Sequence, residues 1–336
     1  MTKYSFRRAA VVALTTASML ALAACGGGSS GNNSTEGGGE EAAGARIGFV
    51  AVGPEGGWRD ANEKDVRAEF EEAGFELSYA GKAGNDQASQ IADFSAFVDQ
   101  GVDAIVLSAT EATGWENSLQ AAKDAEIPVI LIDRMIDPDT RDLYFAHVSP
   151  DNKAVSASLA EWANAEFPDG ANYVVLEGIA GLSVVNERNQ GWDETINSNF
   201  TKLDSQNANW STEEAKGIFA TMLQANNNDI QLVFAQNDEM GIGAAQAARD
   251  AGLTPGVDVK ILTIDGTSNV LQEMVDGNIS VVALYSPFLG EAGVELVKKA
   301  LAGESAENVI VDGALFDSVE KAQAELDRRQ AGDIPF

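Results

Sequence analysis

The chain has 336 residues, 45% of them hydrophobic, which is enough for a substantial core and more than one domain of ordinary size. Its formal net charge of −30 excludes nucleic acid as a partner, because neutralising phosphates needs a basic face. Thirty-three glycines with only 7% aromatics suit an α/β protein with many tight connections and exclude a coiled coil.

Lys3, Arg7 and Arg8 precede an apolar, small-residue run over 9–24 that is too short for a comfortable membrane span. A basic start followed by a short apolar run predicts a secretory signal peptide over 1–24. Leu22-Ala23-Ala24-Cys25 resembles the bacterial lipobox, so Cys25 is expected to carry lipid and head the mature protein. No second cysteine exists, so stability must come from core burial and not from a disulfide. Residues 25–45 are rich in Gly, Ser, Asn and Glu and are expected to form a flexible tether.

From Arg46 the pattern alternates. An apolar run at 47–52 predicts the first strand, and amphipathic segments at 60–73 and 87–100 predict helices. A strand at 104–107, a helix at 117–125 and a strand at 129–132 follow. A seam is expected near Val148-Ser149-Pro150-Asp151-Asn152. Beyond it come a helix at 154–167, strands at 173–176 and near 203–208, a helix at 213–224, and a strand at 232–235. A helix at 239–251, a strand at 259–264 and a helix at 290–301 complete the series. The strands are short, continuously apolar and β-branched, as in a parallel sheet covered on both faces. Glycines at Gly74, Gly101 and Gly252 fall where helices should stop. The reading is α/β, with two doubly wound parallel-sheet lobes.

Open α/β sheets bind ligands beyond the carboxyl ends of their strands. Those positions hold Glu55, Trp58 and Arg59 after the first strand, then Asp133 and Arg134 after 129–132. Arg188 follows 173–176 in a loop and helix start, Trp210 follows 203–208, Asn237 and Asp238 follow 232–235, and Asp265 follows 259–264. Planar forks of Asp, Asn and Arg suit vicinal hydroxyls, and indole rings cover the C–H face of a sugar ring. Asp238 is assigned mainly to capping the helix at 239–251, and Trp192 and Trp162 to the core.

No catalytic set competes with this inventory, so an enzyme is not expected. The single histidine, His147, ends an apolar strand near the seam and reads as structural. There is no G-x-S-x-G elbow, no H-x-x-x-H or C-x-x-C metal spacing and no Walker loop, so neither metal nor cofactor is expected. Gly241-Ile242-Gly243 lies inside a predicted helix and not in a phosphate-binding turn.

Gly56-Gly57-Trp58-Arg59, Ala112-Thr113-Gly114-Trp115-Glu116, Leu131-Ile132-Asp133-Arg134, Ala235-Gln236-Asn237-Asp238-Glu239-Met240 and Ile264-Asp265-Gly266 resemble the ribose/galactose branch of periplasmic binding proteins of ABC sugar importers, most of all its galactofuranose-binding members. The resemblance implies a type I fold with three crossovers near Pro150, Tyr285 and Asp312. Lobe 1 would span 46–149 plus 286–311, and lobe 2 would span 150–285 plus 312–336. Trp58, Arg59, Asp133 and Arg134 would line the first lobe, and Arg188, Trp210, Asn237 and Asp265 the second. Tyr285 stands where ribose-type members contact ligand. The implied function is capture of a monosaccharide (galactofuranose, fructose or a pentose) for an ABC transporter permease. The protein would be a monomer, anchored through Cys25 on the outer face of the cytoplasmic membrane. A sugar-sensing receptor module is the alternative.

Overall fold

A computed structural model describes residues 44–81, 86–136, 141–332, 334 and 336. The signal peptide, Cys25 and most of the tether lie outside the described residues. The tether's expected last two residues already belong to the folded body, since Gly44 N donates to Gly74 O and Ala45 O accepts from Glu76 N.

The first sheet contains β1 (Arg46–Val50), β2 (Glu76–Ala80), β3 (Ala104–Leu107), β4 (Val129–Ile132), β5 (Ala146–Pro150) and β11 (Val309–Val311). Their order is β11-β5-β4-β3-β1-β2, parallel throughout. Helices α1 (Gly57–Glu72), α2 (Gln87–Gln100), α3 (Glu116–Asp124) and α9 (Gly290–Leu301) belong to this lobe. Along β4 the side chains alternate faces: Val129 and Leu131 enter one core layer with Phe94 and Trp115, while Ile130 and Ile132 enter another with Phe70 and Val297.

The second sheet contains β6 (Asn172–Glu177), β7 (Thr201–Asn207), β8 (Leu232–Ala235), β9 (Lys260–Asp265), β10 (Val281–Leu284) and β12 (Leu315–Phe316). Its order is β12-β10-β9-β8-β6-β7, parallel except for β12, which pairs antiparallel with β10. On one side lie α4 (Asn152–Glu166) and α5 (Ser183–Thr195); with the other pack α6 (Thr212–Ala225), α7 (Asp238–Asp250), α8 (Ser268–Val275) and α10 (Val319–Gly332). Trp192 is buried and stacks on Phe234 with ring centroids 4.4 Å apart, while Trp162 is half-buried against the same core. Gly243 is the place where α7 meets α6: a Cβ there would stand 2.3 Å from Thr212 O, so this glycine allows close helix packing.

The chain passes between the sheets three times, after β5, after β10 and between β11 and β12. Pro150 pairs with Val311 and is thus the last residue of the first sheet, one residue further than the expected boundary. Helix stops at Gly74, Gly101 and Gly252 take φ of 82°, 62° and 80°, conformations that glycine adopts without a Cβ penalty.

Candidate functional site

All ten residues expected at the site line one cavity between the two sheets' carboxyl ends: Glu55, Trp58, Arg59, Asp133, Arg134, Arg188, Trp210, Asn237, Asp265 and Tyr285. Gly56, Val184 and Glu239 complete the wall. The empty space there, part of it open to solvent, is about 400 Å³.

On the first lobe, the turn after β4 delivers Asp133 and Arg134. Asp133 has a left-handed backbone at φ 69°, strain that the surrounding contacts hold in place. Its carboxylate accepts from Arg59 Nη2 at 2.5 Å and from Tyr285 OH at 3.0 Å. Burial works against its charge, but Arg59 and Arg134, together with these hydrogen bonds, outweigh that and hold the carboxyl below its usual range. Burial likewise opposes the Arg59 cation, and Asp133 and Glu55 overcome it, raising its pKa. Ser108 Oγ and Asn62 Oδ1 accept from the same guanidinium at 3.2 and 3.3 Å. Arg134 is ion-paired to Glu55, so Glu55, Arg59, Asp133 and Arg134 form a neutral buried quartet.

His147 is the second residue of β5, not its end, and its Nε2 lies 2.9 Å from Asp133 O. A carbonyl can only accept, so the ring donates there and braces the Asp133 backbone, a structural role.

On the second lobe, Arg188 sits within α5, one turn deeper than a loop position. Nε donates to Asn152 Oδ1 at 3.0 Å and Nη1 donates to Gln236 O. Its guanidinium lies over the Tyr285 ring, 4.7 Å from the centroid, and 3.8 Å from Asp265 Oδ1. Trp210, at φ 62°, is held flat against Gly178, where a Cβ would come within 2.0 Å of the indole. Trp58 Nε1 donates to Tyr285 O at 2.6 Å, and the two rings are tilted at 5.3 Å. Burial and the adjacent Asp133 push the Tyr285 hydroxyl well above its usual range, so it stays a donor.

Asp238 does not cap α7. That role belongs to Asn237, whose Oδ1 accepts from Met240 N at 3.0 Å while its Nδ2 donates to Glu239 Oε2. Asp238 is fully buried and accepts from Gly266 N, Thr267 N, Thr267 Oγ1 and Thr263 Oγ1, tying β9 to α8. Burial and the Glu239 charge raise Asp238, and Asp265 is raised further by burial and by Asp238. Four donors favour a charged Asp238, whereas the cation nearest Asp265 among the described residues is Arg188 at 3.8 Å, so Asp265 is the more strongly raised of the pair.

Three buried polar atoms in the wall have no partner among the described residues: Glu55 Oε1, Arg59 Nε and Trp210 Nε1. Buried polar atoms left unpaired are costly, and here one acceptor and two donors are left so. Sequence reasoning missed Glu239, although it stands four residues beyond the β8 end. It also missed Asn152 and Gln236, which act by orienting Arg188.

Two lobes linked by three chain crossings and closed over a small polar and aromatic cavity are the architecture of a solute-binding protein. The chain belongs to the periplasmic binding protein family, whose domain matches residues 47–305. It is similar to the fructose import binding protein of Bifidobacterium longum, 49% identical over 283 residues that cover 83% of this chain and 86% of the relative. Similarity to the galactofuranose-binding protein of Escherichia coli is 35% over 295 residues, 86% of this chain and 92% of that one. Among solved structures, the binding component of the arabinose ABC transporter from Shewanella sp. ANA-3, bound to L-arabinofuranose, superposes with a TM-score of 0.82 at 31% identity, covering 86% of this chain and 98% of the other.

Proposed function

We propose that this protein captures a monosaccharide between its lobes and presents the closed form to the permease of an ABC importer. The observation that carries this reading is the wall itself, in which Trp58, Trp210 and Tyr285 stand with the carboxylates, guanidinium groups and amide of Glu55, Arg59, Asp133, Arg134, Arg188, Asn237 and Asp265 around one cavity between the lobes. Carboxylate, guanidinium and indole N–H satisfy hydroxyls, while the rings cover C–H surface. The quartet on the first lobe is already neutral, so the ligand is uncharged. The sugars for which the relatives are named or with which they are bound, fructose, galactofuranose and arabinofuranose, are ketose or aldose monosaccharides.

The ten wall residues are the proposed ligand contacts, and no step of catalysis is assigned to them. Export through residues 1–24, lipidation at Cys25 and a monomeric state complete the proposal. Labelled fatty acid should enter the native chain in its host and not a Cys25→Ser variant.

A thermal-shift panel of D-fructose, D-galactose, L-arabinose and D-ribose tests the central reading. A sugar at 100 times its Kd adds about 2.7 kcal/mol to the folded state, roughly 5 °C for a body of this size. A panel in which no sugar moves the midpoint would overturn the reading.

A further inference from the structure

Helix α1 begins at the cavity with Gly56 and Gly57, and no side chain of its own segment caps it. Its first amide is instead taken by the other lobe: Gly57 N donates to Glu239 Oε1 at 2.9 Å. The second oxygen of that carboxylate accepts from Asn237 Nδ2 at 2.7 Å, which fixes the side chain's direction. Glu239 lies in the first turn of α7, so one negative charge is placed between two helix N-termini, each with unsatisfied amides and the positive end of its dipole. Gly56 makes the approach possible. It has φ 125°, and a Cβ there would stand 2.8 Å from Glu239 Oε1.

We infer that Glu239, capping α1 from the facing lobe, is the latch that holds the closed form and sets how long ligand stays bound. It is a positioning residue that acts on the lobe and not on the sugar, an inference that rests on the function proposed above. When the lobes part, the Gly57 amide goes to water and the carboxylate keeps only Asn237. The bond therefore exists in one state alone, which is the condition for biasing an opening equilibrium.

The test is a double-mutant cycle in the full chain between Glu239→Ala and Gly57→Pro. Proline removes the donor at the first helical position, where it is favoured, and the ψ of −179° at Gly56 suits a residue before proline. With D-fructose as probe, each single variant should raise the dissociation rate about tenfold, the effect of losing one hydrogen bond to a charged group. The double variant should be no faster than the faster single one, association should stay within about threefold, and Glu239→Gln, which keeps an acceptor, should fall between. Ligand-free small-angle scattering should show a larger radius of gyration in each Glu239→Ala or Gly57→Pro protein than in the parent. Effects on dissociation that multiply would mean Glu239 serves the sugar directly, and would overturn the latch. If D-fructose does not bind, the functional reading fails separately and the scattering decides: larger radii uphold the latch, four identical profiles refute it.

Discussion

Asp265→Asn should make the ligand-free protein more stable in a pH-dependent way while weakening its sugar binding. Asp265 is 5% exposed, ends β9 at φ 126°, and has Arg188 no nearer than 3.8 Å. Burial and Asp238 raise its carboxyl well above the usual value, so the folded protein retains a proton that the unfolded chain gives up near pH 4. The folded state binds more protons than the unfolded state above that pH, so the parent's stability falls as pH rises, by about 1.4 kcal/mol per unit, until the folded group itself ionises. Asparagine has the same shape and tolerates positive φ, but does not titrate. The variant should therefore gain on the parent as pH rises above about 4, by at most about 1.4 kcal/mol per unit. Thermal unfolding of both proteins without sugar at pH 5, 6 and 7 reads this directly, and calorimetry with the sugar chosen by the panel should show about 100-fold weaker binding. A Tm difference that stays constant across the three pH values would refute the assignment of the buried proton to Asp265.

Arg134→Ala should cost about 3–5 kcal/mol, because it leaves Glu55 buried with only Arg59 at 3.5 Å. Urea unfolding checks this, and an unchanged midpoint would show that the pair adds nothing. Gly243→Ala should destabilise by about 1–3 kcal/mol, since its methyl group meets Thr212 O, while sugar affinity per folded molecule stays the same by calorimetry. Asp65 accepts from Gly290 N at 2.8 Å, and burial, aided by Glu69 and Glu291, raises its carboxyl to about 7. Its folded pKa is raised, so the stability present below pH 4 is lost between about pH 4 and 7; Asp65→Asn should flatten that part of the profile in unfolding experiments at pH 4.5 and 7.5.

Buried central strands were the most legible part of the fold. The expected bounds at 104–107, 129–132 and 232–235 coincide with β3, β4 and β8, because strands covered on both faces are apolar at every position. Edge strands were harder to read: β2, Glu76–Ala80, has three of its five residues exposed and shows no continuous apolar run, so nothing marked it. The short β11 and β12 offered too few residues to mark a run, and the buried β10, Val281–Leu284, was also passed over. Helix starts at α1 and α4 fall two to three residues earlier than periodicity suggested, since a first turn needs caps and not apolar spacing. At the site, position after a strand end found every wall residue that carries a fork or an indole except Glu239. It could not tell Asn237 from Asp238, which differ only in which way each side chain turns from β8. It also passed over Glu239, whose partner is an amide 182 residues away.

The threefold passage between sheets has a consequence for how the chain matures. Strand β5 ends at Pro150, yet the strand that covers its outer edge begins only at Val309. Until that distant segment arrives, the first half of the molecule has an open row of amides and carbonyls, and neither half can be excised as a continuous fragment. Such a chain completes its first lobe only near its end, and any truncation before Val309 leaves a ready template for self-association.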